Sequence, residues 1–235
     1  MTRSDEDRSA QRLEAVLFDF DGTLADSIPH IRASFRHASR EVLGRELPDE
    51  VLLRNVGMPL AAQMRILVED EALAERLLQE YRAYNHATHD EMVRAFPGAH
   101  DVLARVREAG ARTGLVTSKS RPIAERGIRL LGMDDAFDVV VTADDVAAHK
   151  PDPAPVLHAL GVLGVRPERA AYVGDSPADV SSAKAAGVLA VAATWGVATR
   201  ERLLEAGPDV IVDSLAEVLA ALDLEATRSA RAHRG

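Results

Sequence analysis

Two aspartates, Asp19 and Asp21, follow the short apolar run Ala15-Val16-Leu17-Phe18 and lead straight into Gly22-Thr23. Other apolar runs end just as abruptly. Thr117 and Ser118 close the run from Arg112, Lys150 lies in the loop after Phe137 to Thr142, and Asp175 and Asp179 follow Ala170 to Gly174. Carboxylates converging on one crevice repel each other unless a divalent cation compensates them. Oxygen donors select a hard ion, so the expected cofactor is Mg2+, held by Asp19, Asp175 and the backbone carbonyl of Asp21, with Asp179 supporting from behind. Beside such a cation the two carboxylates of the first pair can take opposite protonation states. Asp19 stays ionised and attacks phosphorus, while Asp21 gives a proton to the leaving oxygen and later activates water. The expected intermediate is an aspartyl-phosphate. Phosphoryl transfer asks for positioning and charge, which Lys150 and the Thr117 hydroxyl supply. The catalytic set is therefore Asp19, Asp21, Thr117 and Lys150, and the phosphate-binding set is Phe20, Gly22, Thr117, Ser118 and Lys150.

These residues need a frame that gathers them. The apolar runs, together with Leu189 to Ala193 and Val210 to Val212, are rich in valine or leucine without polar alternation, which marks strands buried on both faces. Helical patterns separate them: Asp101 to Ala109, Ile123 to Leu131, Pro153 to Leu163 and Ala178 to Ala186, several closed by Gly110, Gly132 and Gly187. Alternating strands and helices predict an α/β, Rossmann-like three-layer core on a parallel sheet, with ligands beyond the carboxyl ends of its strands. Residues 26–95 differ, showing helical periodicity and no strand. Ile28, Ile31, Phe35, Ala38 and Val42 form one stripe, with Asp26 or Ser27 able to cap it and Gly44 to end it. Leu60, Met64 and Leu67 form a second stripe, and Leu73, Leu77, Tyr81 and Tyr84 a third. The expected organisation is a catalytic core of residues 13–25 and 96–224, an inserted all-helical cap of 26–95, and flexible tails at 1–12 and 225–235. Near the end of the last cap helix, Asn85, His86 and His89 are candidate substrate contacts. An exposed polar helix end is the competing reading, and a second metal site at His86 and His89 lacks further ligands.

Bulk composition narrows the partners. The net charge of -9 argues against nucleic acid, which needs a concentrated basic surface; the only basic stretch, Arg228, Arg231 and Arg234, is terminal. No run of about eighteen apolar residues is present and the polar, charged Met1 to Gln11 does not read as a secretory signal, so neither a leader nor a membrane partner is expected. With no cysteine, disulfides and thiolate metal sites are excluded. The expectation is a cytoplasmic monomer or homodimer acting on a small-molecule phosphate. Trp195 and His149 read as packing and loop residues.

Four segments, DFDGTLADS, VTSKS, HKPDP and VGDSPAD, resemble the motifs of the haloacid dehalogenase superfamily of phosphatases from about Val16 to Leu222. The resemblance implies a Rossmann-like core, an aspartyl-phosphate route, magnesium, and a helical cap of that family's first type. Asp21 argues for phosphorus over carbon chemistry, because members that dehalogenate carbon lack the second acid. Within the superfamily, the first motif is similar to the phosphoglycolate phosphatase and pyrophosphatase branch. Tyr81 to His86, His89-Asp90 and Asp144-Asp145-Val146 resemble PpaX-type pyrophosphatases, whereas Val56 to Leu60 keeps only a glycine-and-proline outline. Pyrophosphate or 2-phosphoglycolate is the favoured substrate. A β-phosphoglucomutase-like phosphomutase, a sugar-phosphate phosphatase and a non-enzymatic phospho-ligand sensor are the alternatives.

Overall fold

A computed structural model describes residues 12–224; apart from Arg12, the tails expected from sequence lie outside that range. Six parallel strands form one sheet in the order β5-β4-β1-β6-β7-β8. They are β1 (Ala15–Phe18), β4 (Arg112–Val116), β5 (Val139–Val141), β6 (Ala170–Gly174), β7 (Leu189–Ala193) and β8 (Val210–Val212). Strand β1 lies between β4 and β6, pairing Phe18 with Leu115 on one side and Val173 on the other. The chain moves outward from β1 to β5 and then returns to the far side through β6, so the strand order reverses at β1. Such a reversal opens a crevice at the strands' carboxyl ends.

Because successive side chains of a strand point to opposite faces, Val16 and Phe18 enter one apolar layer and Ala15 and Leu17 the other. Each fully buried leucine, valine or phenylalanine contributes about 1.5–3 kcal/mol of transfer free energy, which explains why these runs lack polar alternation.

Helices cover both faces. In chain order they are α1 (Ile28–Leu43), α2 (Asp49–Leu52), α3 (Leu60–Leu67), α4 (Glu71–Met92), α5 (Ala99–Glu108), α6 (Arg121–Leu130), α7 (Ala154–Leu163), α8 (Pro177–Ala186), α9 (Arg200–Glu205) and α10 (Leu215–Ala221). The first four form the insert and bury a separate apolar cluster that includes Ile31, Phe35, Met64, Leu77 and Tyr81. The single turn α2 and the helices α9 and α10 are additions to what the sequence predicts.

The insert also contains strand where none was expected. Strands β2 (Ala25–Asp26) and β3 (Arg94–Ala95) pair antiparallel at its root. Two-residue strands carry no readable periodicity, and only the meeting of two distant segments creates them. Gly44 ends α1 with a left-handed φ of 67°. Ser27 occupies the N-cap position but makes no side-chain cap bond; its hydroxyl donates to Asp21 instead. Among the described residues, no helix is long and apolar enough to cross a membrane.

Candidate active site

The crevice at the carboxyl ends of β1, β4 and β6 holds Asp19, Thr117 and Asp175, each directly after its strand. Lys150 reaches the same place from the loop after β5. Its ammonium lies 3.1 Å from Asp19 Oδ1 and 2.7 Å from Asp179 Oδ1, and donates to the Tyr172 hydroxyl at 3.0 Å. All these side chains are buried.

Asp179 has little capacity left. Its Oδ1 accepts from Lys150 and Tyr172, and its Oδ2 accepts from the Ser176 amide at 3.0 Å and the Ser176 hydroxyl at 2.5 Å. The Ser176 amide bond, with the Asp179 amide donating back to the Ser176 hydroxyl at 3.3 Å, makes a capping box at the start of α8, so helix formation itself locks this carboxylate in place. Asp175 accepts from the Thr23 hydroxyl at 3.2 Å and the Val197 amide at 2.6 Å. Asp19 Oδ1 accepts from the Phe20 amide at 2.7 Å, while the Phe20 ring is fully buried. Gly22 approaches so closely, at a φ of +78°, that a Cβ there would run into the Asp175 carboxylate.

Oxygens of Asp19, Asp175 and Asp179 lie within 4.8 Å of one another. Three carboxylates against one ammonium leave a buried charge of two negatives when all are ionised. Burial, together with Asp179 and Asp21, pushes the Asp19 carboxyl up to about 7 despite the Lys150 charge. Asp175 is raised well above the usual range by burial and by Asp179 and Asp19. A divalent cation would cancel this excess, so the donor set fits a hard dication on Asp19 and Asp175.

Asp21 faces the other way. Lys119 grips both its oxygens, at 2.6 and 2.8 Å, and the Ser27 hydroxyl donates to Oδ1 at 2.5 Å. Burial would raise this carboxyl, but Lys119 and Ser27 outweigh it and the net shift is downward. The sequence predicts a protonated Asp21 at the outset; in this state it is held as a carboxylate. Lys119 was missed as a functional residue, although it stands inside the VTSKS segment.

The remaining candidates divide. Thr117 lines the cavity, and its Oγ1 accepts from the Lys119 amide at 3.3 Å. Ser118 also borders the cavity, but its hydroxyl donates to the Gly57 carbonyl at 2.6 Å and so ties the insert to the core. Asn85 and His89 are buried, contrary to an exposed helix end, because α1 covers that face of α4; only His86 is exposed. The Asn85 amide donates to Ser34 at 3.1 Å and meets His30 at 3.4 Å. His89 pairs with Asp90 at 2.7 Å, and Asp90 accepts from Arg126 of α6 at 2.9 Å. Burial and nearby positive charge lower both His86 and His89, with Asp90 opposing the shift at His89. His86 and His89 belong to no candidate metal cluster among the described residues. Trp195 packs edge-on against Phe96 and donates to the Thr23 carbonyl.

Between core and insert lies a cavity of about 230 Å³, bordered by Asp19, Asp21, Thr117, Lys119 and Asp175 on the core side. A Rossmann-like sheet with buried carboxylates and a lysine at its switch point, roofed by a helical insert, defines an α/β enzyme with an acidic centre. A family profile described as haloacid dehalogenase-like hydrolase matches residues 16–193. The pyrophosphatase PpaX of Bacillus cereus is 35% identical over 208 residues, covering 88% of this chain and 95% of its own length. A predicted phosphoglycolate phosphatase from Haemophilus somnus shares the fold, with a TM-score of 0.82 at 23% identity over 89% of this chain and 97% of its own. CbbY from Rhodobacter sphaeroides, solved in complex with phosphate, matches with a TM-score of 0.76 at 29% identity over 90% of this chain and 99% of its own. The chain belongs to the haloacid dehalogenase-like hydrolase family.

Proposed function

We propose that this enzyme is a magnesium-dependent phosphohydrolase of small phosphorylated compounds, with pyrophosphate or 2-phosphoglycolate favoured, working through an aspartyl-phosphate on Asp19. The observation that carries the reading is the convergence of Asp19, Asp175 and Thr117 on one cavity, with Lys150 ion-paired to Asp19 beside it, although the four come from separate segments. The 35% identity to a PpaX pyrophosphatase over nearly full length supports the substrate preference. Magnesium held by Asp19, Asp175 and the Asp21 carbonyl would keep Asp19 ionised and draw charge from the phosphoryl oxygens. Residues 26–95 act as a cap over a core of 13–25 and 96–224.

In the first step an Asp19 carboxylate oxygen attacks phosphorus, the bond to the leaving oxygen breaks, and that oxygen takes a proton from Asp21. Asp21 must hold that proton beforehand, so Lys119 must first leave it; the substrate's phosphate is the competing anion. Lys150 and the Thr117 hydroxyl steady the transferring oxygens. In the second step Asp21, again a carboxylate, takes a proton from water as that water attacks phosphorus and releases Asp19.

Phosphate release from a substrate panel, with wild type and Asp19→Asn side by side in magnesium, tests the reading. Turnover in wild type and its near-complete loss in the variant are expected. A folded wild type that releases no phosphate from any compound, yet binds phosphate compounds as tightly as the variant does, would mark a sensor and overturn it.

A further inference from the structure

The insert's side of the cavity is built for something other than a second anion. Val56, Met58 and Leu60, half-buried, face it together with Ile123 from the core, and Ile31 and Phe35 stand behind them. Val56 and Leu60 are continuous with the insert's own apolar cluster. This is the segment where only a glycine-and-proline outline resembles the pyrophosphatase pattern.

The wall is held in position. Ser118 donates to the Gly57 carbonyl at 2.6 Å, and the Gln63 amide nitrogen donates to the Met58 carbonyl at 2.7 Å. Gly57, at a φ of +106°, sits so close to Ser176 that a Cβ would force the Ser176 side chain aside. A segment pinned from both sides is a fixed surface facing the carboxylates.

The wall's buried amide donors are engaged within the insert, while Gln63 Oε1 is left as an acceptor without a partner. The Gln63 donor is used on Met58, and the Asn85 donor on Ser34 and His30. Across the cavity, Lys119 is matched by Asp21 here and by the transferring phosphate in the first step above, so neither state leaves it for a second anion. Pyrophosphate and 2-phosphoglycolate each carry a second anionic group, which would meet apolar side chains here. Among the described residues on this wall, Arg82 and His86, both exposed at the cavity's edge, are the side chains able to carry a positive charge.

We propose that the cavity takes an organic phosphate monoester whose alcohol carries an apolar group lying against Val56, Met58, Leu60 and Ile123. Hydrolysis breaks the ester P–O bond and yields the alcohol and inorganic phosphate. The proposal rests on the phosphohydrolase reading above, and within it sets an organic monoester against the pyrophosphate and 2-phosphoglycolate favoured there. Burying apolar surface at this wall makes these four residues determinants of specificity.

A series of methyl, propyl and hexyl phosphate, whose leaving alcohols differ little in acidity, isolates this effect from chemistry. The full chain with magnesium is assayed on these esters beside pyrophosphate and 2-phosphoglycolate. Each buried methylene should raise kcat/KM about fourfold until the cavity is full, so propyl phosphate should exceed methyl phosphate by at least about tenfold. In Leu60→Asp the propyl-to-methyl ratio should fall toward one; if that variant does not fold, the wild-type slope decides alone. A flat or falling slope would overturn the proposal and leave the phosphohydrolase reading standing. The proposal fails equally if pyrophosphate or 2-phosphoglycolate outruns every ester, which would assign the second anion to Arg82 or to the first turn of α3. Absence of phosphate release from every compound would overturn both.

Discussion

Replacing Lys150 by methionine keeps most of the side-chain volume and removes, among the described residues, the ammonium that faces three buried carboxylates. The side chains of Lys150, Asp19 and Asp179 are 1%, 5% and 2% exposed, so the small values typical of surface ion pairs do not apply. Breaking a buried pair from one side costs about 3–5 kcal/mol, because the partner charge is stranded. Asp19 has a way out: its carboxyl already sits at about 7 and can take up a proton near neutral pH. Asp179 has less freedom, since Tyr172 and Ser176 bind its charged form. The expected loss is therefore near the lower bound, about 3 kcal/mol, which lowers Tm by about 6–12 °C in a domain of this size. Thermal melts in EDTA read this directly. Magnesium, by binding the folded state alone, should return about 2–3 kcal/mol at a hundredfold excess over its Kd. Turnover should fall at least about a hundredfold, as for loss of a donor to a developing anion. A variant that melts within about 2 °C of wild type in EDTA would show that the buried charge is not balanced as described.

Two further outcomes follow from single contacts. Gly22→Ala combines a left-handed backbone with a Cβ inside the Asp175 carboxylate; strain and overpacking together should cost about 2–4 kcal/mol, read from the urea midpoint, and a loss under about 0.5 kcal/mol would contradict the close approach. Asp145 accepts from Arg121 at 2.6 Å and from the Thr142 amide and hydroxyl at 2.7 Å each, which outweighs its burial and lowers its carboxyl to about 2. Because the folded value lies below the unfolded one, its stabilisation is present above pH about 4 and disappears as pH falls toward about 2. Asp145→Asn should accordingly be less stable than wild type at pH 7 by about 1–2 kcal/mol, with the gap closing between those limits; a gap independent of pH would refute the ion-pair account.

Much of the site was readable because of how parallel strands are buried. When both faces of a strand are covered, polar side chains are confined to its ends, so the first charged or hydroxyl residue after each apolar run marks the crevice. Asp19, Thr117 and Asp175 were found this way. Helix stripes likewise exposed the insert, since an amphipathic helix must bury one face. Short elements escaped the same reasoning: β2 and β3 are two residues each, and α2 is one turn.

What the chain order could not convey is where side chains on loops aim, because that depends on partners far away in sequence. The types and order of residues alone determined a parallel α/β core, a helical insert and an acidic centre that wants a cation. Tertiary structure alone decided that Lys119 holds Asp21 from 98 positions away, that Ser118, at the border of the cavity, spends its hydroxyl on Gly57, and that Asn85 and His89 are buried against α1. Patterns of burial are written locally, residue by residue, whereas the choice among competing hydrogen-bond partners exists only once distant segments have been brought within about 3 Å.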